Sequence, residues 1–231
     1  MTTTETSVTL RMPNVILWLL GIGGGAAGFG LGFLAKPLVQ WILDAVGDAP
    51  GPLRVAAALP TVWAVPALTV VGLLAGVWLA ATARQESLVL TVGTGGIGLR
   101  QDGADRYAPR DSIAAVFLDG KELVLLDGET KQITRNKASD LSKRELQAAF
   151  ESYGYPWTGF GDPREPEFQR WTDSHPNLDE EANQLLRTRA RALQDKQPGA
   201  AADLADRLQS IGVVLRDRDG TQQYRRIPPT G

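Results

Sequence analysis

VILWLLGIGGGAAGFGLGFLA, residues 15–35, and VAAALPTVWAVPALTVVGLLAGVWLAATA, residues 55–83, decide the architecture of this chain. Neither run contains Asp, Glu, Lys or Arg. A helix rises about 1.5 Å per residue, so roughly 20 apolar residues cross a hydrocarbon core about 30 Å thick. Both runs reach that length, and the second is long enough to tilt or to begin in the interface near Pro60. Amphipathic helices of a soluble core carry charge on one face, and these runs have none. Only Arg11 precedes the first run, and no A-x-A site closes it before Lys36, which argues against a cleaved signal peptide. The expectation is an N-terminal tail over 1–14 and a two-helix transmembrane hairpin over 15–83, with the soluble residues after it.

Glycines punctuate the first run. Gly23 to Gly28 formally satisfies G-x-G-x-x-G, but a dinucleotide site needs a strand before the motif and an acidic residue about 20 positions on. Inside an apolar span the glycines read as packing surface. Gly24, Gly28 and Gly32 recur every four residues, and Gly72, Gly76 and Ala80 offer the same spacing in the second run. Such faces let two helices approach closely, so these six residues are the expected contact. With no charge in either span there is no ion site or proton relay to assign. Trp18, Trp41, Trp63 and Trp78 suit headgroup levels. The connection, with Lys36, Pro37, Gly47, Pro50, Gly51, Pro52 and Arg54, joins the spans. Counting Arg11, Lys36, Arg54, Arg84 and Arg100 by the positive-inside rule puts both termini in the cytoplasm, at the plasma membrane.

After Arg84 the pattern changes to short β-rich runs separated by turn residues: Leu88–Val92, Ile97–Gln101, Ser112–Leu118, Leu123–Asp127 and Thr130–Thr134. Asp102-Gly103 and Asp119-Gly120 are hairpin signals. Ser142-Lys-Arg-Glu145 is a capping box, Leu146, Ala149 and Phe150 form an apolar stripe, and Gly154 ends the helix. An antiparallel meander closed by one helix over 87–156 resembles the pleckstrin-homology-like (PH-like) domains of bacterial membrane proteins. The stretches Ile97–Arg100, Tyr107–Val116 and Leu123–Asp127 carry that resemblance. It implies a fold, and a lipid-headgroup site only if Lys131, Arg135 and Lys137 cluster.

Residues 157–178, rich in Pro, Gly and charge, read as a linker. His175 is the one histidine and reads as a surface residue. With no cysteine and a single histidine, the sequence offers no metal cluster, no catalytic residues and no cofactor motif. Asp179-Glu180-Glu181 opens a helix with Leu185, Leu186, Ala190 and Leu193 on one face; a second runs from Ala200 to Ser210; and Asp219-Gly220 turns a closing hairpin. Leu186-Arg187, Arg191, Lys196, Ala202–Leu208, Ile211–Asp217, Asp219–Thr221 and Tyr224 make residues 179–231 similar to the anticodon-binding tail of cysteinyl-tRNA synthetase. The synthetase catalytic domain has no counterpart, so aminoacylation is not implied. The whole arrangement resembles the YqeB family of bacterial membrane proteins.

The fold expected is thus a membrane-anchored α+β chain: two transmembrane helices, an antiparallel PH-like β domain with a C-terminal helix, and a small helical tail ending in a β-hairpin. Period-two alternation places Arg216, Arg218 and Arg225 on one hairpin face, expected in solvent, and Arg187 and Arg191 one helical turn apart. These five are the candidate RNA contacts. The charge of 179–231, nine Lys or Arg against eight Asp or Glu, is modest for a nucleic-acid module. A scaffolding or recognition role, without catalysis, at the membrane and through another protein ranks first; a tethered RNA or tRNA binder is the alternative.

Overall fold

The computed structural model describes residues 7–46 and 61–228. The start of the second apolar run, 55–60, and Gly47, Pro50, Gly51, Pro52 and Arg54 of the connection lie outside them. The chain divides into two compact units, Arg11–Val89 with Arg100–Ala104, and Met1–Leu10, Leu90–Leu99 and Asp105–Gly231.

The first unit is built on α1 (Asn14–Val46) and α2 (Thr61–Glu86). Their apolar cores, Asn14–Leu34 and Val62–Glu86, are each long and apolar enough to cross a membrane. The glycine row sets how closely they pack. A Cβ on Gly24 would lie 2.9 Å from the Gly76 Cα, and one on Gly32 would lie 2.6 Å from the Val65 Cα. A Cβ on Gly28 would strike the Leu68 carbonyl, and one on Gly72 would strike the Gly24 carbonyl. Ala80 lines a groove beside Leu17 and Gly21. Gly21, Gly23 and Gly30 face open space. The Arg84 guanidinium donates to Asn14 Oδ1 at 3.2 Å, tying the two chain ends of this pair.

The second unit begins with a strand placed before the helices. β1 (Ser7–Leu10) pairs antiparallel with β2 (Val89–Gly93), Ser7 opposite Gly93 and Leu10 opposite Leu90. The tail expected over 1–14 therefore contributes a sheet strand, and both helices lie in sequence between two hydrogen-bonded neighbours. β3 (Gly96–Gln101) and β4 (Ala104–Pro109) complete a four-stranded sheet in the order β1-β2-β3-β4. Asp102 and Gly103, at φ 52° and 76°, make the tight turn their sequence signals. β4 was not read from the sequence, because Ala-Asp-Arg-Tyr-Ala-Pro has no apolar alternation.

A second sheet holds β5 (Ala115–Asp119), β6 (Glu122–Leu126), β7 (Gln132–Lys137) and β8 (Trp157–Phe160), ordered β7-β6-β5-β8. β8 pairs parallel with β5, so this sheet is mixed. The helix α3 (Lys143–Ser152) before β8 supplies the crossover that a parallel strand requires. It buries Leu146, Ala149 and Phe150, and Phe150 stacks on Trp157 at 5.5 Å. Arg110 donates to the carbonyls of Tyr153 and Gly154, and the Tyr155 hydroxyl donates to the Gly93 carbonyl, which fixes the end of α3 to the first sheet.

α4 (Glu180–Gln194) and α5 (Pro198–Ser210) pack on a third sheet, ordered β10-β11-β9, of β9 (Gln169–Arg170), β10 (Val213–Arg218) and β11 (Thr221–Arg226). Asp179 caps α4 by accepting from the Ala182 amide at 2.7 Å. Leu178, Ala182, Leu185, Leu186, Leu208, Val213, Leu215 and Tyr224 form this tail's core. The stretch 157–178, expected as a linker, holds β8 (Trp157–Phe160) and β9 (Gln169–Arg170), strands of two different sheets.

The close helix contact makes a prediction. In detergent, Gly28→Leu lowers the thermal midpoint, whereas Gly23→Leu, at an open position, leaves it unchanged. A loss of about 2 kcal/mol corresponds to roughly 4–8 °C for a protein of this size. Gly28→Ala is also destabilising, since one methyl group already meets backbone. Equal midpoints for Gly28→Leu and Gly23→Leu refute the contact.

Candidate functional site

The two-residue turn Asp219-Gly220, at φ 51° and 70°, sets the register of the last hairpin. Arg218 faces Thr221, Arg216 faces Gln223 and Val214 faces Arg225. One face therefore carries Leu215 and Tyr224 into the tail core, and the other carries Arg216, Arg218 and Arg225.

That second face is covered. Arg216 and Arg225 are only 3% and 2% exposed. Arg216 grips the Glu165 carboxylate with both terminal nitrogens, at 2.5 and 2.7 Å, and donates from Nε to Gln223 at 2.7 Å. Its guanidinium lies 4.0 Å from the centre of the Phe168 ring. Arg218 bridges Glu165 and Asp119, at 2.5 Å each. Arg225 donates to the hydroxyl and the carbonyl of Thr130. From β7, Arg135 reaches Asp119 at 3.1 Å and Glu122 at 2.6 Å, and stands 3.9 Å from Asp162. The expectation that Arg216 and Arg225 point into solvent is therefore overturned: carboxylates and Thr130 of the β domain and its following loop face them. Gln132 and Gln209 add reciprocal bonds, at 3.0 and 2.9 Å.

The electrostatics follow from this packing. Burial lowers the Arg225 guanidinium from its ordinary value, and its Nε has no partner. Burial also pulls on Arg216, but Glu165 and then Asp119 outweigh it and the group is held above its usual value. The hydrogen bond from Arg216 keeps Glu165 below the ordinary carboxylate value. Asp162 is raised, because burial outweighs its bond from the Arg164 amide and the charge of Arg135.

The other candidates lie apart from this cluster in their bonding. Arg187 binds Asp173, Ser174 and Glu180, and Arg191 is exposed on α4. Lys131 pairs with Glu129, so two of the three headgroup candidates, Lys131 and Arg135, are spent on carboxylates. His175 is half-buried, with Nδ1 2.9 Å from the Tyr224 hydroxyl.

Sequence reasoning missed Asp119, Glu165, Phe168 and Arg189. Asp119 read as a turn residue; the register places it in β5 opposite Glu122, with Gly120 and Lys121 turning. Glu165 and Phe168 sat in the supposed linker. Arg189, on α4, is buried and forks onto the Asp217 carboxylate, at 2.9 and 2.6 Å, with Gln222 at 2.7 Å. No periodicity signals these, since the partners are 16 to 99 residues apart. Among the described residues no group of three or more His, Cys, Asp or Glu is placed to hold a metal ion. What the cluster does chemically is fasten two folded parts.

Comparison with known proteins fits this division. Residues 8–158 match the model of the YqeB-like bacterial PH domain. The match runs through β1, both helices and the β domain, so the inserted helices are part of that pattern. Residues 175–225 match the cysteinyl-tRNA ligase anticodon binding domain. A Bacillus subtilis (strain 168) protein named Uncharacterized protein YqeB is 30% identical over 204 residues, 88% of this chain and 84% of the relative. No solved structure matches.

Charge reversal at the covered face is destabilising. Arg216→Glu sets like charges against Asp119 and the half-exposed Glu165 and leaves Gln223 unmet, at a cost of about 1–3 kcal/mol. Chemical denaturation measures it, and wild-type stability for Arg216→Glu refutes the buried pairing. The two perturbed carboxylates titrate in opposite senses. Glu165, lowered on folding, contributes stability above its unfolded value that is lost as pH falls through its folded value. Asp162, raised on folding, opposes stability once ionised, so Asp162→Asn is neutral or stabilising at pH 7 while Glu165→Gln is destabilising.

Proposed function

The chain belongs to the YqeB-like bacterial PH-domain family, and from that premise we propose that it is a membrane-anchored, non-catalytic scaffolding or recognition protein. In this reading its β domain and tail stand together in the cytoplasm, at the plasma membrane. The observation that carries the anchor is what the two helices expose. Trp18, Leu19, Ile22, Phe33, Leu74 and Trp78 are each more than half exposed, and only 17% and 11% of the two apolar windows are buried. Core helices of a soluble protein hide such side chains; lipid is the solvent that suits these.

The β1–β2 ladder supports the topology. Leu10 and Leu90 are paired, so the chain leaves and re-enters the sheet at one place. A path out through two spans and back returns to the side it left. The positive-inside count then favours the cytoplasm for that side.

A second reading rests on the match of residues 175–225 to an anticodon binding domain: a membrane-tethered RNA or tRNA binder. Its phosphate contacts would come from Arg187, Arg191 and the hairpin arginines, of which Arg216, Arg218 and Arg225 are engaged elsewhere. That ranks it below the first. A salt-dependent shift of labelled tRNA by the full chain in detergent would favour it.

The anchor is tested in cells. The protein pellets with membranes and resists carbonate extraction. Reporters fused at the N- and C-termini both give a cytoplasmic signal, and one inserted in the connection 47–60 gives the opposite. Recovery in the soluble fraction removes the anchor, and opposite signals from the two termini remove the topology.

A further inference from the structure

The β domain and the tail are joined in a way that separates folding from docking. The tail's apolar cluster is made wholly of its own residues, Leu178 to Tyr224, with Trp171, Leu204 and Ala205 packed against it. The cluster on β5 and β6, of Phe117, Val124, Leu126 and Ala115, is drawn from the β domain and shares a sheet face with Asp119 and Arg135. The bonds that cross between the two parts are polar: Arg216 and Arg218 to Glu165 and Asp119, Arg225 to Thr130, and Gln132 to Gln209 and to the Leu215 carbonyl. Glu165 is central, since one carboxylate serves both Arg216 and Arg218, and it is 46% exposed to water.

The chain passes between the parts once, from β8 to β9. Gly159, paired with Phe117 inside β8, and Gly161, whose amide donates to the Leu118 carbonyl, stand at φ 109° and 110°, a conformation that favours glycine, and they keep the start of this connection, with Glu165 after it, on the β domain. These glycines serve backbone geometry and make room for no neighbour. A largely charged interface against a tail with its own core, joined by one strand connection, is built to part without that core melting.

We propose that this interface is an electrostatic latch. Glu165 and Asp119 hold the tail closed on the β domain, and loss of their charge lets the tail swing away as a folded body, uncovering Arg216, Arg218 and Arg225. Removing the carboxylates leaves buried guanidinium groups without counter-charge. Water is within reach by opening, and reaching it that way leaves the tail's own apolar cluster packed. The latch is an autoinhibitory contact: closed, it withholds the tail's arginine face from any anionic surface, and open, it presents that face. This holds whether or not the tail contacts RNA.

The chain has no cysteine, so two introduced ones report cleanly. Lys121→Cys and Asp203→Cys, both at exposed positions, place spin labels on the β5–β6 turn and on α5 of the full chain in detergent. Wild type gives one distance between them. Asp119→Asn with Glu165→Gln adds a longer, broader population that holds most of the molecules, while far-ultraviolet circular dichroism is unchanged. Glu165→Gln alone gives a smaller open fraction. In the double variant, Arg216 and Arg225 become reactive to phenylglyoxal, as read by mass spectrometry. Sodium chloride at 1 M shifts wild type in the same direction. A single wild-type distance in the double variant overturns the latch. So does loss of helical signal together with the distance, because the two parts then form one cooperative core.

Discussion

The pairing of Ser7–Leu10 with Leu90–Gly93 is the constraint on which the rest depends. It closes a loop of about eighty residues, and loop closure costs entropy that grows with the logarithm of loop length. A helical hairpin relieves much of that, because two helices packed side by side return the chain close to where it began. The glycine row therefore does more than join two helices. With Gly24, Gly28 and Gly72 each against backbone of the other helix, the ends of the hairpin are held near enough for the ladder to form.

The second constraint is that Arg216, Arg225, Asp119 and Asp162 are buried where half-exposed carboxylates rim them. Arginines on β7, β10 and β11 and the carboxylates Asp119, Glu122, Asp162 and Glu165 gather where the β domain meets the tail. Desolvating such groups is expensive, and their mutual attraction only offsets the cost when geometry is good. Here the Arg216–Glu165 fork and the Arg218 bridge supply that geometry. Arg225 is the exception: its hydrogen bonds go to Thr130, Asp162 offsets its charge without pairing to it, and its Nε stays unmet. An interface of this kind contributes direction and specificity of docking more than stability. In a tail similar to an anticodon binding domain, it leaves Arg216 and Arg218 facing carboxylates of the same chain.

Elements whose signals are local were legible in the residues alone. Uncharged runs of membrane length, the capping box at Ser142, the Asp179 cap and the Asp-Gly turns at 102 and 219 are each fixed by neighbours within a few residues, and the register of the last hairpin followed from its turn. The small-residue spacing likewise reads off one helix at a time. Apart from the helix contact, the pairings between distant stretches emerged only on folding. Ser7–Leu10 is too short to announce itself as a strand. Trp157–Phe160 becomes one only because β5 offers an open edge. Asp119 leaves its apparent turn because Glu122 pairs with it. Arg216 and Arg225 sit on the face that alternation assigns them, but alternation says nothing about what lies against a face. A hairpin's period is a property of its own backbone, whereas burial depends on a second surface brought from up to 99 residues away.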